Sequence, residues 1–135
     1  MYAKTLSIAG LALSLFAVPA LGHHSFSMFD QTQFVKVTGM VTDFEWVNPH
    51  TWLHISVTDD SGNQQTWSFE GGAPRNFAAA GWRADSVTAG EQVEIGFNPL
   101  RDGSRGGQLR TLVFQDGTKL CNGARFCEDG AEAAY

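Results

Sequence analysis

The chain has 135 residues, 43% hydrophobic and 17% charged, with a formal net charge of −5. That length and balance fit one folded domain and exclude a fibrous or largely disordered chain. Nine basic side chains stand against 14 acidic ones, and their scatter leaves no basic stripe of the kind that grips nucleic acid or anionic lipid.

Residues 1–22, MYAKTLSIAGLALSLFAVPALG, carry one positive charge at Lys4, then an apolar stretch from Leu6 to Val18, then Pro19 and small residues at Ala20 and Gly22. This order is that of a cleavable signal peptide. The apolar stretch falls short of the roughly 20 residues that span a bilayer, and no later segment is longer. Cleavage after Gly22 is expected. It leaves no membrane span, makes the chain one unit more acidic through loss of Lys4, and places residues 23–135 in the periplasm or outside the cell.

Period-2 patterns dominate the exported part, which reads as short strands joined by turns. From Phe34 to Trp46 the apolar positions Val35, Val37, Met40, Phe44 and Trp46 change parity around Gly39, which points to a bend or bulge in one long strand. Trp52 to Thr58 alternates Leu53, Ile55 and Val57 against Trp52, His54 and Ser56. A turn at Asp60-Ser61-Gly62-Asn63 leads into a return strand from Gln65 to Glu70. Pro74 opens and Gly81 stops a short helix over PRNFAAAG. Gln92 to Phe97 and Leu109 to Phe114 make two more strands around the loop RDGSRGG. Three strands, a helix and two strands is the order of a small five-stranded Greek-key barrel of the oligonucleotide/oligosaccharide-binding (OB) type. The expectation is therefore an all-β domain over residues 23–120 with one short helix. A tail, 121–135, would be stapled by a disulfide within CNGARFC, since an even cysteine count at short spacing in an oxidising compartment favours a bridge over a thiol metal site.

Cleavage after Gly22 would start the mature chain at His23-His24. A free α-amine and an imidazole have reference pKa values near ~7.7–8.0 and ~6.5, so an N-terminal histidine can chelate a metal with two nitrogens. Nitrogen-rich tetragonal sites suit copper first, with nickel and zinc behind. The other imidazoles are His50 and His54, in NPHTWLH. In a straight strand they would be ~13 Å apart at about 3.3 Å per residue, so the economical site is His23 with one of His24, His50 or His54. The opposing expectation is a solvated start at His23 and His24, a turn-capping His50 and a His54 hydrogen-bonded beside a tryptophan.

Enzymatic constellations are thin. Asp43 and Glu45 share a strand face read as solvated, Ser25 has no oriented base, and the glycines of RDGSRGG lack the strand-to-helix setting of a phosphate cradle. Trp46, Trp52 and Trp82 could instead line an aromatic groove for a planar or sugar-like ligand.

The segments HHSFSMFD after the leader, VTGMVTDFEWVNPHTWLHI, WSFEGGAP, GWRADSVTAGEQVEI and NPLRDGSRGGQL together resemble a family of exported bacterial proteins catalogued only as a domain of unknown function. The resemblance implies a secreted or periplasmic small β-barrel and brings no activity with it. The tail from Cys121 departs from the family pattern. The functional expectation is a carrier or sensor of copper rather than a catalyst, with a copper-dependent oxidase as a variant. A metal-free module holding an organic ligand or a partner protein on the aromatic groove is the competing class.

Overall fold

The computed structural model describes residues 26–127. The expected leader, His23, His24, Ser25 and residues 128–135 lie outside them. The elements are β1 (Val35–Glu45), β2 (Trp52–Thr58), β3 (Gln64–Glu70), α1 (Pro74–Ala79), β4 (Gln92–Pro99), β5 (Gly106–Phe114) and β6 (Lys119–Cys121), with 3-10 turns at Phe26–Met28 and Ala124–Phe126.

The sheet runs β3-β2-β1-β4-β5-β6, and a parallel pairing of β3 with β5 closes its first five strands into a barrel. This is the five-stranded barrel with one short helix that the strand order points to. The core is built by alternation. Leu53 and Ile55 on β2, Phe69 on β3, Val93, Ile95 and Phe97 on β4, and Leu109 and Leu112 on β5 are all essentially inaccessible. Each such burial contributes about 1.5–3 kcal/mol.

β1 pairs with β4 through Val35–Met40 and with β2 through Met40–Glu45, and the register slips between Val41 and Asp43. The parity change in this strand therefore sits at Thr42, three residues beyond Gly39. Gly39 is an inward position in its own right, because a Cβ there would lie 2.7 Å from the Ser56 carbonyl oxygen. Met40 points outward and is 52% exposed. The bulge turns Phe44 and Trp46 toward the core, where α1 stoppers one end of the barrel with Phe77.

Two further differences from the sequence reading matter for the site. β5 begins at Gly106, earlier than the apolar alternation from Leu109, because Ser68, Phe69 and Glu70 pair with Gly106, Gly107 and Gln108 to close the barrel. The tail also opens with a strand: β6 pairs Leu120 with Leu112 and Cys121 with Thr111. Cys121 and Cys127 form a disulfide with their Cα atoms 5.6 Å apart, so the loop they close hangs from the sheet.

The segment ahead of β1 is tied down on the β4–β5 side. Phe29 bridges to Leu100, and Arg101 donates from its backbone N–H to the Met28 carbonyl and from Nε to the Ser27 carbonyl. Asp30 accepts from the Thr32 hydroxyl, the Gln33 amide and the Thr32 backbone N–H, which together with nearby Arg101 hold its carboxyl below the ordinary value.

Candidate functional site

The histidines of the β1–β2 loop and of β2 are each engaged by a carboxylate. On β2, His54 faces outward between two neighbouring strands: its Nε2 lies 2.9 Å from Glu45 Oε1 and its Nδ1 lies 2.8 Å from Ser68 Oγ. The register puts Glu45 opposite Trp52 on one side and Ser68 opposite His54 on the other, so period-2 geometry alone gathers these side chains on one face. Trp52 stacks on the His54 ring with an interplanar angle of 7°. In the loop before β2, which contains the cis Asn48–Pro49 peptide, His50 Nδ1 forms an ion-pair contact with Glu70 Oε1. Thr51 fixes this loop by exchanging backbone hydrogen bonds with Gly72 and Gly71 and by donating its hydroxyl to the Gly72 carbonyl.

Two His–carboxylate pairs therefore flank Trp52, whose cross-strand partners are Glu45 and Glu70. A carboxylate on one ring nitrogen fixes the ring's orientation and raises the basicity of the other, as around metal-ligating histidines. Among the described residues, no three of His, Cys, Asp and Glu converge as a metal-holding group. His23 and His24 lie outside the described residues.

The three tryptophans do not form one groove. Trp82 is 1% exposed, stacks on Phe77 with ring centres 4.6 Å apart, and donates its indole N–H to the Cys121 carbonyl at 2.8 Å. It is a core residue with no ring face open for stacking. Trp46 packs edge-on to Phe44 and tilted against Phe77, and meets Trp82 only around a shallow hollow with Arg83 and Asp85. Trp52 belongs with the histidines on the β2–β3 face. Asp43 and Glu45 also part company: Asp43 accepts from the Phe44 backbone N–H, whereas Glu45 holds His54.

Sequence reading missed a second constellation. Beyond Glu70 the chain leaves β3 for Gly71, Gly72 and α1, while β5 runs on to pair with β6. Between them opens a cleft of about 520 Å³, with His50 and Glu70 on one wall and Gln108, Arg110, Arg125 and Phe126 on the other. Arg110 points out of the barrel yet is 4% exposed, because Gln31 covers it from the N-terminal side and Phe126 from the tail. Its Nε donates to Asn98 Oδ1 and its Nη2 to Gln31 Oε1 at 2.7 Å. Gln31 in turn donates to Gln108 at 2.8 Å. The only sequence signal was an arginine at an outward position of β5, which reads as solvated until both chain ends are folded over it.

A family model described as a family of unknown function (DUF6152) matches residues 12–110, well over half of the chain. The chain belongs to that family. No curated protein and no solved structure matches it. All four histidines, Glu45, Glu70 and Arg110 lie within the stretch that the family model covers. Arg125, Phe126 and the disulfide lie beyond it, in keeping with a tail that departs from the family pattern.

Proposed function

We propose that this member of the family is an exported metal-binding protein, a carrier or sensor of copper in the periplasm or outside the cell. In this reading, removal of residues 1–22 frees the His23 amine, which chelates the metal together with its own imidazole, and His50 completes the site. The observation that carries the reading is the pair of carboxylate-oriented imidazoles at Glu70–His50 and Glu45–His54, flanking Trp52. The start of the described chain also supports it. Ser27 and Met28 are held by Arg101 at one end of the β4–β5 loop, and Arg105 at the other end accepts from the Ser68 backbone N–H, beside His54. Three residue steps join His23 to Phe26, a reach of at most about 10 Å.

In this reading the barrel ligand is His50, in the loop before β2, and His54 stays in its pairing with Glu45 and Ser68. Glu70 takes Nδ1 of His50 and directs coordination to Nε2, the carboxylate–histidine–metal order. Calorimetric titration of the exported protein with Cu(II) tests this. Glu70→Gln should weaken binding by about 10–100-fold, as expected for an outer-shell partner. His50→Ala should weaken it at least as much, and His54→Ala distinctly less. Affinity unaltered from the natural sequence in both the Glu70→Gln and His50→Ala variants would take His50 out of the site and leave His23 with His24 or His54. Absence of tight binding in the unaltered exported protein would favour the metal-free module.

A further inference from the structure

We propose that the Cys121–Cys127 bridge is a thiol-exchange site: a thiolate partner attacks Cys127 Sγ, and the opened bridge lets the segment after Asn122 leave the barrel. The site uses no histidine and no carboxylate, so it does not rest on the metal reading.

The two cysteines are presented unequally. Cys121 ends β6, pairs with Thr111 and is 2% exposed, whereas Cys127 follows the 3-10 turn Ala124–Phe126 and is exposed. Beside the bridge lies a hollow of about 490 Å³, walled by Asn76, Ala79 and Ala80 on the helix side and by both cysteines on the other. No charged side chain lines it, so nothing in its wall repels an incoming thiolate. Exchange depends on access to the sulfur that is attacked. The geometry therefore directs attack to Cys127 and makes Cys121 the leaving group. The bond that forms joins the partner's sulfur to Cys127 Sγ, and the bond that breaks is the bridge. Its electron pair leaves on Cys121 Sγ, which takes a proton from water. A second thiolate then displaces Cys127, so the bridge gains two electrons and the partner is oxidised to its own disulfide.

Opening has a defined extent. Up to Asn122 the chain stays held without the bridge: Trp82 donates to the Cys121 carbonyl at 2.8 Å, and Asn122 donates from its backbone N–H to the Arg110 carbonyl at 2.7 Å and from its side chain to the Leu109 carbonyl at 2.8 Å. Beyond it the backbone bonds are local, from the Phe126 N–H to the Gly123 carbonyl and from the Cys127 N–H to the Ala124 carbonyl. Gly123, at φ +103°, is a hinge that a residue with a Cβ would resist. Phe126, 5% exposed, seats the turn by burial, and the bridge is its covalent latch. The latch lies beyond residues 12–110, the stretch that the family shares, so it is this chain's own addition to the common barrel.

The test uses the oxidised exported chain at neutral pH, with a chelator present and with glutathione and reduced thioredoxin as thiol probes. In the folded protein the bridge should open within about tenfold of its rate in the urea-unfolded chain, whereas a bridge reached only through global unfolding would open at least about a thousandfold more slowly. Acid quenching and peptide mapping should place the glutathione mixed disulfide on Cys127. Hydrogen exchange of the Phe126 and Cys127 amides should speed up roughly 50-fold on opening, the loop-closure effect of so short a bridge, while the Asn122 amide and those of β1 to β5 keep their protection. Cys121→Ser, which leaves Cys127 as the single thiol, should react readily with oxidised glutathione, and Cys127→Ser should resist it. The ratio of folded to unfolded rates distinguishes the partner: a higher ratio for thioredoxin assigns the site to a dithiol protein, and one at least as high for glutathione assigns it to a small thiol. Opening only at the unfolding-limited rate, a mixed disulfide on Cys121, or loss of protection that reaches β5 would overturn the proposal.

Discussion

Replacing Trp82 with Ala should lower the unfolding free energy by about 3–5 kcal/mol, the range for truncating a large buried aromatic. The ring is buried between Phe77 and Phe44, with centres 4.6 and 5.9 Å away, so truncation leaves a cavity where α1 stoppers the barrel. It also strips the Cys121 carbonyl of its indole donor, which adds the cost of an unsatisfied buried acceptor. Trp82→Phe keeps most of the packing and loses only the hydrogen bond, so it should cost about 1–3 kcal/mol. Urea unfolding followed by far-ultraviolet circular dichroism measures both. A loss below 1 kcal/mol for Trp82→Ala would mean that the indole is not the link between helix, barrel and β6 described above.

Gly107→Ala should cost about 2–4 kcal/mol. Gly107 sits where β5 is clasped between β3 and β4, opposite Phe69 and Pro99. A Cβ there runs into the Asn98 carbonyl oxygen and lies 2.7 Å from Phe97 Cδ2. Neither neighbour can yield, one being backbone and the other a ring 1% exposed. The damage should concentrate at the closure, so the backbone amides of Ser68–Glu70 and Gly106–Gln108 should lose hydrogen-exchange protection before those of β1 and β2. Gly103→Ala is the control: its φ of +77° strains an alanine, but nothing stands within 4 Å of the new methyl. That substitution should cost only about 1–2 kcal/mol, the penalty of the left-handed region for a residue with a Cβ.

The barrel was legible because its strands obey the simplest rule available, inward apolar and outward polar residues in alternation. Leu53 and Ile55, or Val93 and Ile95, announce their face without any knowledge of a partner. What escaped was everything that depends on pairing. The glycines at Gly106 and Gly107 read as loop, yet they are the clasp, because only residues without a Cβ allow β3 and β4 to crowd that part of β5. The bulge at Thr42 could not be placed, since Met40 offers an apolar residue at an outward position and Gly39 hides an inward one.

The candidate site divides in the same way. His50 and His54 stand out as imidazoles in a sequence with only four, and the structure places both beside Trp52. Their carboxylate partners did not stand out. Glu70 comes from the far strand of a hairpin and Glu45 from the strand before, so each assignment needs a register that composition cannot supply. Trp82 groups with Trp46 and Trp52 in the sequence as a candidate wall of an aromatic groove. It is core because Gly81, at φ +93°, turns the chain back under α1, and the Trp82 backbone N–H then donates to the Phe77 carbonyl. Arg110 and its amide network needed both ends of the described chain to fold over β5, the kind of contact least visible in one dimension.

The proposed function joins a covalent event to a rigid surface. In that proposal the barrel offers the Glu70-held imidazole of His50, and export would supply two nitrogens on one residue at His23. Electron paramagnetic resonance of the exported protein carrying one equivalent of Cu(II) tests that junction most directly. The account predicts a tetragonal spectrum with coupling to at least three nitrogens that collapses when a single alanine precedes His23. An identical spectrum in the extended form would contradict it.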